Sequence, residues 1–77
     1  IDHDCIIGND CHIGPGAVLA GEVTVGNGGF IGTGAIVAPG VVIGEQVVIG
    51  AGSVIVRDVA AGSRVIPQGI RNSINQA

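Results

Sequence analysis

His3, Asp4, Cys5, Cys11 and His12 crowd the start of the chain. An imidazole followed directly by a carboxylate is a general-base pairing. Asp4 can fix the tautomer of His3 and strengthen it as a proton acceptor. Two histidines with two cysteines are also a ligand set for zinc. A thiol beside a histidine is a candidate nucleophile. Which of these chemistries is open depends on where each side chain points, and so on the backbone period.

That period is six. Residues 1–66 divide into eleven consecutive words: IDHDCI, IGNDCH, IGPGAV, LAGEVT, VGNGGF, IGTGAI, VAPGVV, IGEQVV, IGAGSV, IVRDVA and AGSRVI. The first position is Ile, Leu or Val in ten words and Ala in the last. The second is Gly or Ala in nine, and the fifth is always small or β-branched. A short repeat of this kind specifies a stacked fold in which each unit covers the next. The β-branched runs between glycines predict short strands, and the 15 glycines argue against a helical bundle.

The words resemble those of hexapeptide-repeat proteins. The resemblance implies an all-β left-handed parallel β-helix, in which each word is one flat side of a triangular prism. Left-handed winding is not what general sheet physics favours, so it follows from the resemblance alone. The turns are then 1–18, 19–36, 37–54 and a partial 55–66, about three and a half coils. Positions one and five point inward, two to four turn the corner, and six points outward. Glycine suits the corners because φ > 0 is cheap without a Cβ. Gly16, Gly34 and Gly52 recur at one corner and support the same count.

This register sorts the candidate chemistry. Both cysteines fall at position five and point inward, while both histidines point outward. No tetrahedral zinc shell forms from opposite sides of a sheet, so no metal is expected. The cysteines lie on different sides of the triangle, against a disulfide, and read as buried small hydrophobes rather than nucleophiles. His3 and His12 are half a coil apart, more than ~10 Å along the strands. They can cooperate only if His3 of one subunit faces His12 of the next. Gly21 falls directly under His3, leaving room beside the imidazole and a backbone N–H for a ligand. Phe30, Val48 and Ile66 fall under His12 as an apolar wall. Pro15, Thr33 and Ala51 line the adjacent corner with small neutral side chains, along which an extended ligand could lie. Each residue also has a plainer reading: a solvated corner histidine, a turn aspartate, a corner glycine, an apolar column that packs subunits.

Composition narrows the function classes. The 77 residues carry a net charge of −3, with three arginines and no lysine, so there is no basic stripe for nucleic acid and no polybasic membrane anchor. No apolar run is long enough to span a membrane, and no signal peptide is visible. The chain starts on Ile1 already in register, and reads as the C-terminal piece of a longer protein. Reduced cysteines without an export signal favour the cytoplasm. Position six is often apolar, as at Ile6, Val18, Phe30, Ile36, Val42, Val48, Val54 and Ile66, which implies a partner surface. A homotrimeric ring of prisms closes that surface. The β-helical domain is residues 1–66, and residues 67–77 are a C-terminal tail outside the repeat.

The stretch IDHDCIIGNDCHIGPGAVLAGEVTVG resembles the sugar O-/N-acetyltransferases of the sialic acid O-acetyltransferase type, which modify nucleotide-linked amino sugars. IGAGSVIVRDVAAGSRV resembles their final coils. The resemblance implies acetyl-CoA as co-substrate and a sugar or nucleotide-sugar acceptor. It implies that His3 is the general base, that Asp4 raises its basicity, that His12 contacts the acetyl group and that Gly21 lies at the thioester. The pantetheine arm would run past Thr33 and Ala51. Two departures stand out. Pro67-Gln68-Gly69-Ile70-Arg71 replaces the family's Gly-x-Pro-Ala-basic ending near the adenine, and the family's N-terminal nucleotide-binding subdomain is not in this stretch. Two other readings stay open. One is a non-catalytic β-helical scaffold. The other is a γ-class carbonic anhydrase, which needs three histidines where this chain has two. An ice-binding helix is disfavoured, because no regular Thr-x-Thr face appears.

Overall fold

A computed structural model describes residues 4–67. Ten two-residue strands fall into three parallel sheets. The first sheet stacks β1 (Ile6–Ile7), β4 (Thr24–Val25) and β7 (Val42–Ile43). The second stacks β2 (His12–Ile13), β5 (Phe30–Ile31), β8 (Val48–Ile49) and β10 (Arg64–Val65). The third stacks β3 (Val18–Leu19), β6 (Ile36–Val37) and β9 (Val54–Ile55). The chain visits the three sheets in turn, so this is the prism that the hexads predict. Through β9 the partners sit 18 apart, as in Ile6↔Thr24 and Ile13↔Ile31.

The inward and outward positions are those read from the words. Leu19, Val25, Ile31, Val37, Ile43, Ile49 and Ile55, all at position one, are buried. Val23, Ala35, Val41, Val47 and Ser53, at position five, are buried beside them. Each strand therefore contributes one residue to the core and one to the surface, the period-2 alternation of a pleated backbone. Ser53 stands where Ala17 and Ala35 stand in the coils before it. Its Oγ is buried and has no hydrogen-bond partner among the described residues.

The glycines do two separate jobs, where a single job at the corners was expected. Gly34, at position four, has φ 73° and a Cβ there would meet nothing within 4 Å. Backbone conformation is what selects it. Gly32, at position two, has no such φ. A Cβ there would lie 2.5 Å from the Ala51 nitrogen of the next coil. Close approach between coils is what selects it. Position four also accepts Asp4, Asp10, Glu22 and Gln46 at φ 58° to 63°. A left-handed conformation costs a non-glycine residue about 1–2 kcal/mol, so the ladder on either side must hold these corners in place.

The eleven unbroken words require a correction at the end. β10 pairs with β8 as Arg64↔Val48 and Val65↔Ile49, and Val59 bridges Ile43. These partners are 16 apart, not 18, so the word beginning at Ile55 is two residues short. Gly62, which the words put at position two, takes the position-four conformation with φ 78°. The Asp58 carboxylate covers the gap. Its Oδ1 accepts the Val42 N–H at 2.9 Å, and the Val59 N–H then donates to the Val42 carbonyl. Val59 and Val65 thereby become the inward residues of the last coil, and Ile66 leaves the His12 column. The tail proposed for 67–77 lies, beyond Pro67, outside the described residues, and so does His3.

The two glycine roles separate in unfolding experiments. Gly34→Ala should lose about 1 kcal/mol, the cost of the left-handed conformation. Gly32→Ala should lose about 3 kcal/mol, because backbone must move. Urea midpoints for the two variants check the order, and equal losses would contradict it.

Candidate active site

His12 begins β2 and is exposed. Its backbone N–H donates to the Gly29 carbonyl at 2.9 Å, which pins it in register with Phe30 below. The two rings stack, with centroids 4.8 Å apart and planes 13° from parallel. The sequence reading made Phe30 part of a wall for a ligand. Here it is first a platform on which the imidazole rests face to face. Such a stack is worth about 0.5–1.5 kcal/mol beyond the area it covers.

The column continues from Phe30 to Val48 and then to Arg64. Ile66 had been expected in that last place. The two-residue slip put Arg64 there, and the signal was available in the sequence: Val59 and Val65 are six apart, with Gly62 and the small Ser63 correctly placed between them.

The corner beside this sheet carries Pro15, Thr33 and Ala51 in one stack. The Pro15 carbonyl accepts the Gly34 N–H at 3.0 Å, and the Thr33 carbonyl accepts the Gly52 N–H at 2.9 Å. Both Thr33 and Ala51 are exposed. Gly14 and Gly32 pack against the Thr33 and Ala51 backbones, so the corner is tightly drawn and offers a smooth small-residue track.

Asp4 and Gly21 occupy a different corner, between the third sheet and the first. Asp4 is exposed with φ 62°. Gly21 is half-buried, and its carbonyl accepts the Gly40 N–H at 3.0 Å. The structure thus gathers His12, Thr33 and Ala51 on one side of the third sheet, and Asp4 and Gly21 on the other. The third sheet separates the two groups within one chain.

Both cysteines turn into the prism as their register requires. The Cys5 thiol donates to the Ala20 carbonyl at 3.2 Å, and the Cys11 thiol to the Gly26 carbonyl at 3.2 Å. Both are free thiols. With the sulfurs facing inward carbonyls and the His12 ring facing out, these groups do not converge on one point.

Known proteins place this geometry. Residues 4–36 match the bacterial transferase hexapeptide model, which comprises six repeats. PerB from Caulobacter crescentus, solved with CoA and GDP-perosamine, is 50% identical with a TM-score of 0.84. The match covers 86% of this chain and 32% of that one. Histidine variants of perosamine N-acetyltransferase from the same organism, also solved with CoA and GDP-perosamine, are similar as well. The acetyltransferase domain of PglB from Neisseria gonorrhoeae, solved with acetyl coenzyme A, is 42% identical with a TM-score of 0.85, over 86% of this chain and 32% of that one. Serine acetyltransferase from Neisseria gonorrhoeae, solved with serine, is 30% identical with a TM-score of 0.76, over 82% of this chain and 29% of that one. No curated protein sequence matches. The chain therefore spans about a third of the length of the first solved proteins it matches.

The His12 platform is open to a direct check. Imidazole protons over the Phe30 face should resonate upfield of a free histidine. In Phe30→Leu they should move back downfield, read by proton NMR with the fold intact, whereas an unchanged spectrum would show that the rings do not stack. Hexad register, three parallel sheets and family match agree: the chain is a left-handed β-helix of the bacterial transferase hexapeptide-repeat type, similar in sequence and fold to sugar acetyltransferases.

Proposed function

We propose that this chain is the acetyl-transfer domain of an acetyl-CoA-dependent sugar acetyltransferase, active as a homotrimer. The observation that carries the reading is the 50% identity to a protein solved with both CoA and GDP-perosamine. That similarity favours the amine of a nucleotide-linked sugar as acceptor, over a hydroxyl. Acetyl-CoA and nucleotide sugars are cytoplasmic metabolites, which agrees with a cytoplasmic protein.

His3 takes the proton from the acceptor nitrogen as that nitrogen attacks the thioester carbonyl. Asp4, next in sequence, holds the His3 tautomer and steadies the imidazolium. The oxyanion that forms is met by His12 and by the backbone N–H near Gly21. Collapse of the intermediate breaks the carbon–sulfur bond, and the CoA thiolate leaves with the proton that His3 had taken. The pantetheine arm lies along the Thr33 and Ala51 corner. No acyl-enzyme forms, because both thiols face the core.

The site is shared between copies. The two groups of residues flank the third sheet, and a threefold ring with that sheet inward brings one corner of each subunit against the other corner of the next. The outer column of that sheet is wholly aliphatic, with Val18 51%, Ile36 47% and Val54 64% exposed. The first sheet interrupts its column with Thr24, and the second carries His12 and Arg64. An apolar strip of this kind favours burial against another copy.

His3→Ala should lower the transfer rate by about 10²–10⁴-fold, the usual worth of a general base, without changing the oligomer. A near-normal rate would remove His3 from the mechanism. Calorimetric titration with acetyl-CoA separates the enzyme from a β-helical scaffold, which would give no binding.

A further inference from the structure

We infer that Arg64 anchors the diphosphate of coenzyme A at the last coil of the prism. The inference rests on the transferase reading above and goes beyond it, to a residue that the unbroken hexads had hidden.

The starting point is the shortened word. Because β10 pairs with β8 as Arg64↔Val48, the outward column of the second sheet reads His12, Phe30, Val48, Arg64. An 18-residue step would have put Ile66 there, and an apolar side chain offers nothing to a phosphate. Arg64 is exposed at that end of the column.

Distance supports the pairing. Three rungs of a parallel ladder separate His12 from Arg64, which is ~14 Å. From the thioester sulfur to the first phosphorus, the pantetheine arm has about thirteen bonds, and at the reach of an extended peptide chain that spans ~15 Å. A thioester held at His12 therefore delivers the diphosphate to Arg64. The strands between carry Phe30 and Val48 and lead directly into the Thr33 and Ala51 corner along which the arm lies, so this column gives the dimethyl carbon of the arm an apolar flank.

Charge gives the same direction. The first two coils carry Asp4, Asp10 and Glu22 with no described arginine, the third carries Glu45, and the last carries Arg57 and Arg64 against the single Asp58. A polyanion is repelled from the His12 end and drawn to the other. Guanidinium suits the task because its fork of N–H donors matches two phosphate oxygens at once.

The test compares the affinities of the intact protein for acetyl-CoA and for acetyl-pantetheine, which lacks the phosphates, by calorimetry. The wild type should prefer acetyl-CoA. In Arg64→Ala that preference should fall about tenfold, the loss of one charge-assisted contact, and Arg64→Lys, which keeps the charge but not the fork, should restore part of it. An unchanged preference in Arg64→Ala overturns the assignment, and so does an equal loss for both thioesters. A wild type that binds both thioesters equally sinks the role of Arg64 alone. A wild type that binds neither sinks the transferase reading together with it.

Discussion

The ladder between coils is the constraint on which everything else depends. On the flat sides, up to the shortened last coil, a backbone N–H donates to the carbonyl 17 residues ahead, as from Ile6 to Val23 and from His12 to Gly29. At each corner the bond returns, as from Gly34 to Pro15 and from Gly52 to Thr33. Strands of two residues could not persist alone. They persist because each is bonded above and below and seals the core with one aliphatic side chain. The coil-to-coil distance is then so small that position two is glycine at Gly8, Gly14, Gly26, Gly32 and Gly44, after the first and second sheets, while the third sheet admits Ala20 and Ala38. Chemistry-bearing residues have no freedom of placement in such a frame: their index in the word decides whether they face core, corner or solvent.

The candidate site follows from that rigidity. Position six sends His12 outward onto the Phe30 ring, and position five sends both thiols to interior carbonyls. The same rule sets Thr33 and Ala51 on one corner and Asp4 and Gly21 on another, with a sheet between. A rigid prism cannot fold these two corners together. A second copy can supply the missing half, and the aliphatic column Val18, Ile36, Val54 between the corners is a surface on which it could rest.

Much of this was legible in the sequence. The spacing of Ile, Val and Leu gave the inward column, and the small residues at position five gave the second. Gly16, Gly34 and Gly52 marked a corner correctly. Two things were hidden for physical reasons. The slip before Val59 was masked because AGSRVI still scans as a hexad, with Val65 at its fifth position and Ile66 at its sixth, although the register from Val59 to Val65 scans equally well. The pairing, and Asp58 filling the place of an absent carbonyl, decide between the two registers: Val65 is the first residue of a word and Arg64 is the outward one. The two roles of glycine were merged for a similar reason: neither positive φ nor close approach leaves a different letter in the sequence. His3 lies outside the described residues, so its role rests on the sequence and the similarity.

The central claim is that the site is divided between copies of the chain. Mixing tests it directly. His3→Ala and His12→Ala proteins, each strongly slowed on its own, would be denatured together and refolded. In randomly assembled threefold rings about a quarter of the interfaces combine an intact His3 with an intact His12, so about a quarter of wild-type activity should return. Activity that stays at the level of the separate variants would contradict the account, because it would mean that both histidines must belong to the same chain.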